Sequence, residues 1–138
     1  MTVLLETCDV PVHDGAVSLS GELSLPPDTT GVVVFSHGSG SGRLSPRNRY
    51  VAAALNNAGL GTLLIDLRSP REEAIDVRGT QEQFDIRLLT QRLIDCVDWL
   101  GSHESTSELA IGCFGASTGA AVALSAAAAR PAGIRAIV

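Results

Sequence analysis

Gly115-Ala116-Ser117-Thr118-Gly119 sets a serine between two glycines, each two residues away. This G-x-S-x-G spacing has a chemical use. A serine offered as a nucleophile must stand on a sharp strand-to-helix turn, so the flanking positions must be nearly free of side chain. The helix that follows then points its first amides, and the positive end of its dipole, at the oxygen that becomes negative when the serine attacks a carbonyl. The setting fits. The apolar run Leu109 to Phe114 (LAIGCF) precedes the motif and the small-residue segment TGAAVALSAAAA follows it, with Ala120, Ala123 and Ala127 expected to let that helix pack close. The spacing predicts Ser117 as nucleophile, with Gly115 and Gly119 as its supports. The competing explanation is a glycine-rich turn with a helix-capping serine.

A second glycine cluster, His37-Gly38-Ser39-Gly40-Ser41-Gly42, follows the apolar run GVVVFS. Sites of this kind draw one oxyanion donor from the residue after the serine and another from such a loop. The backbone amides of Thr118 and Ser39 are the candidates, with Gly40 second to Ser39 and Gly38 in support. His37 is expected to brace this loop rather than to act as a base. His13 lies by a turn, and His103 lies ahead of the strand that leads to Ser117, so neither suits a base. Arg43, Arg47 and Arg49 open the next helix, and at least one is expected to face the Ser117 crevice and bind a substrate carboxylate; a solvated helix start is the plainer alternative. Strand, glycine loop and a later Asp66 also echo a dinucleotide site, but Gly38, Gly40 and Gly42 read G-x-G-x-G where the fingerprint needs G-x-G-x-x-G. An oxidoreductase of that kind stands third, behind a non-catalytic α/β binding module or incomplete fragment.

The elements that must position these groups can be read from periodicity. Val17, Leu19, Leu23 and Leu25 alternate with polar residues, and Asp14-Gly15 suits a tight turn, so 2–12 and 16–25 are expected to form a β-hairpin. Runs 31–36, 61–66, 109–114 and 134–138 are short and apolar throughout, as parallel strands covered on both faces require. Ser45-Pro46 supplies an N-cap and a first-turn proline for a helix with Val51, Leu55 and Ala58 on one face, ended by Gly59. Ile86, Leu89, Leu93, Val97 and Leu100 mark a second amphipathic helix, expected to stop before Gly101. The order β-β-β-α-β-α-β-α-β describes one domain over 1–138, an α/β sheet, mostly parallel, led by a hairpin and ending within a sixth strand. An apolar strand as a terminus leaves an open edge, so the chain is expected to be truncated.

Composition narrows the chemistry. The net charge is −5 and all ten basic residues are arginine, which argues against nucleic acid as a partner and removes every role that needs lysine, from phosphate loops to Schiff bases. Cys8, Cys96 and Cys113 are odd in number and widely spaced, which suits a reducing cytosol rather than a disulfide framework or a metal knuckle. The longest apolar run, Gly119 to Ala129, is too short to cross a bilayer. No cofactor or metal is expected, and the Ser117 motif leads to the expectation of a small acyl substrate as partner.

HGSGSG after the third strand, SPRNR opening the next helix and GASTG after LAIGCF together resemble the dienelactone-hydrolase-like branch of the α/β-hydrolase superfamily, over Val3 to Val138. The resemblance implies an eight-stranded, mostly parallel sheet carrying a Ser–His–acid triad that hydrolyses esters, lactones or related acyl compounds through an acyl-enzyme. The type enzymes of this branch use a cysteine nucleophile. Here serine stands at that place, and Cys113 lies four residues away on the strand. In the superfamily the acid and the histidine follow the sixth strand, so both are expected beyond Val138, and these 138 residues alone are expected to be inactive.

Overall fold

The computed structural model describes residues 2–38, 40–72 and 85–138. Six strands, β1 (Leu4–Val12), β2 (Val17–Leu25), β3 (Gly31–Ser36), β4 (Gly61–Ile65), β5 (Ala110–Gly115) and β6 (Ala136–Ile137), form one sheet in the order β1-β2-β4-β3-β5-β6. β1 and β2 are an antiparallel hairpin in register from Leu4↔Leu25 to Val12↔Val17. β2 runs antiparallel to β4, and β4, β3, β5 and β6 are mutually parallel. The expected α/β fold with a leading hairpin is what forms.

Alternation explains the hairpin. Leu19, Leu23 and Leu25 are buried while Ser18, Ser20, Glu22 and Ser24 are not, so one face of β2 meets the core. Its turn uses left-handed backbone at His13 (φ 53°), Asp14 (φ 55°) and Gly15 (φ 89°). The parallel strands instead bury both faces, as their unbroken apolar runs require: every residue of β4 is buried. Several expected boundaries shift. β4 ends at Ile65, one residue before Asp66; β5 runs one residue later than 109–114; and β6 is confined to two residues of 134–138. The hairpin arms also start later than expected, at Leu4 and Val17.

Helix α1 (Pro46–Asn57) begins at the expected cap, with Ser45 Oγ accepting from the Asn48 N–H at 3.4 Å. It covers one face of the sheet, where Ala52 joins Phe35 and Leu64, flanked by Val51, Leu55 and Phe114. Helices α2 (Ile86–Ser102) and α3 (Thr118–Ala129) cover the other. There Leu89, Leu93, Val97 and Leu100 meet Val32, Val34, Leu63, Ile65, Ile111 and Cys113, with Val122, Ala123 and Ala126 from α3. Two details depart from expectation. Gly101 does not stop α2, because nothing crowds it and the helix closes only when the His103 N–H reaches Trp99 O. On α3, Ala126 rather than Ala120 is fully buried beside Ala123, while Ala127 packs from the margin.

This topology locates the site. From β3 the chain leaves to α1 on one face, and from β5 it leaves to α3 on the other. β3 and β5 are neighbours, so the crevice beyond their carboxyl ends lies where the winding reverses, the place at which open α/β sheets bind ligands.

Candidate functional site at the β3–β5 crevice

Ser117 sits in that crevice with φ 57° and ψ −126°, and it is one of four non-glycine residues with positive φ among those described. Such a conformation costs about 1–3 kcal/mol and persists only where the surroundings enforce it. They do so by close approach of main chains. A Cβ on Gly115 would stand 2.6 Å from Gly119 O and 2.9 Å from Ala120 Cα. One on Gly119 would stand 2.7 Å from His37 O and closer still to Ser36 O. Ser36 Oγ also donates to Gly119 O at 2.8 Å, tying the end of β3 to the first turn of α3. Only glycine fits at either flank. Ser117 itself is exposed and makes no side-chain capping bond to α3, so it is not spent as a helix cap.

The loop after β3 passes directly over the serine. A Cβ on Gly38 would lie 3.3 Å from Ser117 Cβ and 3.9 Å from Ser117 Oγ. Gly40 takes φ 73° with open space beside it. Thr118 opens α3 immediately after the serine. Ser39, the first candidate for the second oxyanion amide, lies outside the described residues.

His37 is buried and engaged at both ring nitrogens. Nε2 faces the Leu67 N–H at 2.8 Å, and Nδ1 faces Gly38 O at 2.9 Å. An amide can only donate and a carbonyl can only accept, so Nε2 is the acceptor and Nδ1 the donor. It braces the loop. His13 Nε2 accepts from Arg92 Nε at 3.1 Å, and His103 stacks on Trp99 at 4.3 Å with Glu6 3.6 Å from its Nε2. Among the described residues no histidine is poised on Ser117.

The three arginines divide. Arg43 pairs with Asp66 at 3.5 Å, Arg49 pairs with Glu22 on β2, and Arg47 is exposed at the start of α1. Two of the three therefore already face a carboxylate. Cys113 points into the core, where burial pushes its thiol up to about 11, so it is inert.

Two carboxylates beside the site are engaged by arginine residues. Asp66 Oδ1 accepts the Arg43 N–H at 2.6 Å, so its carboxylate holds the far end of the glycine loop rather than standing ready for a ribose. Arg92, only 2% exposed, donates to Glu72 through both terminal nitrogens at 2.6 and 2.7 Å and to Leu67 O at 2.9 Å. That hydrogen bonding is the main reason the Glu72 carboxyl is held down at about 2, against the opposing effect of its burial. An arginine one residue from Leu93 in the α2 stripe was the available signal. Its partner, 20 residues upstream, could not be read from spacing. Among the described residues no cluster of histidine, cysteine and carboxylate side chains could hold a metal, and no helix is long and apolar enough to cross a membrane.

Comparison with known proteins agrees with this fold. No family model matches the chain. A dienelactone hydrolase from Anabaena variabilis, known from its crystal structure, is 50% identical and superposes with a TM-score of 0.93, covering 98% of this chain and 62% of its own. An esterase from Pyrococcus furiosus shares 22% identity at a TM-score of 0.73, over 99% of this chain and 48% of its own, which shows common fold. A Mycobacterium tuberculosis protein provisionally named a phosphoribosyl transferase is 50% identical over 130 residues, 94% of this chain and 28% of that protein. The chain thus has the α/β-hydrolase fold, and it spans less than two thirds of the length of each of these proteins.

Proposed function

We propose that this chain is the nucleophile-bearing part of a serine hydrolase acting on an ester, lactone or related acyl compound. The observation that carries it is Ser117, exposed at φ 57° on a turn that admits only glycine on both flanks, under the loop after β3. Such strain is worth keeping where it presents a reacting oxygen.

In this reading Ser117 Oγ attacks the substrate carbonyl while a base removes its proton. The carbonyl oxygen becomes an oxyanion held by the Thr118 amide and by an amide of the loop after β3, at Ser39 or Gly40. Collapse expels the alcohol, which takes the proton from the base, and leaves an acyl-enzyme; water then releases the acid and frees Ser117. The base and its orienting acid would come from the remainder of the complete protein, since the histidines here are committed elsewhere. These 138 residues alone should give little triad-dependent turnover, though oxyanion stabilisation without a triad can still contribute ~10³-fold over water. Arg47 is the arginine of the three with no carboxylate partner among the described contacts, and it suits an anionic group on the substrate. Three free, buried cysteines fit a cytosolic location.

The 50% identity to the Anabaena dienelactone hydrolase and the esterase fold support this reading. The transferase name belongs to a protein of which only 28% is matched, and within the matched part the elbow favours acyl chemistry. The test is a fluorophosphonate probe on the complete protein, with the labelled peptide identified by mass spectrometry. Labelling at Ser117, and loss of p-nitrophenyl ester hydrolysis in Ser117→Ala, are expected. Hydrolysis that survives Ser117→Ala would refute the assignment.

A further inference from the structure

The loop after β3 is held at both ends by two consecutive residues just beyond β4. At the near end the Leu67 N–H donates to His37 Nε2 at 2.8 Å, and His37 Nδ1 in turn grips Gly38 O. At the far end Asp66 takes the Arg43 N–H on Oδ1 at 2.6 Å and the Arg43 guanidinium on Oδ2 at 3.5 Å. Gly42 is pressed against the same carboxylate, where a Cβ would stand 2.5 Å from Oδ1. The two anchors are themselves fixed. The Asp66 N–H reaches Ser20 O on β2 at 3.0 Å, and Leu67 O accepts from the buried Arg92 at 2.9 Å.

We propose that Asp66 is a positioning residue: its carboxylate fixes where the amides of the loop's far arm, Gly40 to Gly42, stand relative to Ser117. The role rests on the hydrolase reading above. A carboxylate accepting from a backbone N–H makes a shorter and stronger bond than a neutral acceptor, and it acts here on main chain, the part of the loop that would bind the oxyanion. The near end of the loop has its own brace in His37. Without Asp66 the far end would be held by the turn Ser45 N–H to Gly42 O alone among the described backbone bonds, and the loop could drift while the sheet below stayed intact. Misplacement by about 1 Å is enough to cost ~10²-fold in rate.

The test is made on the complete enzyme with a short-chain p-nitrophenyl ester and with a trifluoromethyl ketone, whose hemiketal adduct with the serine mimics the tetrahedral oxyanion. Asp66→Ala is expected to lower kcat by about 10- to 100-fold, with KM within about threefold and ketone affinity falling in parallel with kcat/KM. Asp66→Asn, which keeps an oxygen for the Arg43 N–H, should recover most of kcat. A merely structural role would lower the amount of folded enzyme without separating ketone affinity from KM. If Asp66→Ala does not fold, Gly42→Ala, which pushes the loop off the carboxylate, should give the same kcat loss at unchanged KM. Unchanged kcat and ketone affinity in a folded Asp66→Ala or Gly42→Ala variant would overturn the proposal. Activity lost in Ser117→Ala but untouched in these variants would overturn this role alone; activity retained in Ser117→Ala would overturn the hydrolase reading beneath it.

Discussion

Gly119→Ala is the most demanding single change that the elbow geometry suggests. The added methyl would stand 2.7 Å from His37 O and closer to Ser36 O, so β3 and the start of α3 must part by roughly 1.5 Å to reach an ordinary contact. Forced repacking of this kind costs about 1–3 kcal/mol. The same movement stretches the buried bond from Ser36 Oγ to Gly119 O, 2.8 Å in the native chain, and leaving such a group unpaired costs about 1–3 kcal/mol more. The expected destabilisation is therefore about 2–6 kcal/mol, a large share of a typical domain's stability. Gly101→Ala supplies the internal comparison. Gly101 lies within α2 with nothing in reach of an added Cβ, so alanine there should stabilise by up to about 1 kcal/mol. Urea unfolding of both variants beside the parent chain measures the difference. A Gly119→Ala midpoint within experimental error of the parent would refute the close approach of β3 to the elbow, and with it the reason Ser117 is strained.

Two further outcomes concern titration. The Arg92–Glu72 pair holds the Glu72 carboxyl at about 2 against an ordinary 4.5, so it contributes stability that is complete above pH 4.5 and fades as the pH falls toward 2. Acid unfolding midpoints should therefore shift in Glu72→Gln, which should also lose stability at pH 7 because Arg92 stays buried without its anion; equal loss at pH 3 and pH 7 would count against the pair. Burial, reinforced by nearby carboxylates at Cys8 and Cys96, pushes Cys8 and Cys113 up to about 11 and Cys96 higher still. These thiols stay protonated in the fold where an unfolded chain ionises, so stability should fall as the pH rises from about 9 toward 11, and a disulfide reagent at pH 8 should react only after denaturation; rapid labelling of the native protein would refute their burial.

What the sequence revealed and what it hid follows from the range of each interaction. The elbow was legible because Gly115 and Gly119 serve a turn that spans five residues, and the parallel strands because burial on both faces leaves unbroken apolar runs. Asp66 looked like the last residue of β4. It lies outside the strand because its side chain turns to Arg43, 23 residues back, although its N–H still bonds β2. Glu22 likewise looked like an ordinary solvent-facing position in an alternating strand, yet it takes Arg49 from α1. Gly101 looked like a stop signal because glycine so often follows a helix, but its exposure lets α2 continue at little cost. The Asp66 and Glu22 misses are contacts between distant segments, which spacing cannot encode.

The histidines show how such contacts decide chemistry. By composition any of the three could serve as a base, since a neutral imidazole near pH 7 is the usual partner of a serine. A base needs one ring nitrogen free to take the serine proton and the other oriented by an acceptor. His37 stands nearest in sequence to the loop over Ser117, but its Nε2 already accepts from Leu67 and its Nδ1 donates to a carbonyl. Neither ring nitrogen is left to take a serine proton. The same hydrogen bonds that make His37 valuable as a brace thus disqualify it as a base. His13 is tied to Arg92 on the far side of β4 and β3, and His103 lies at the opposite end of β5. In the proposed reading the main chain of these residues sets the turn on which Ser117 stands, and proton transfer would fall to side chains elsewhere in the complete protein.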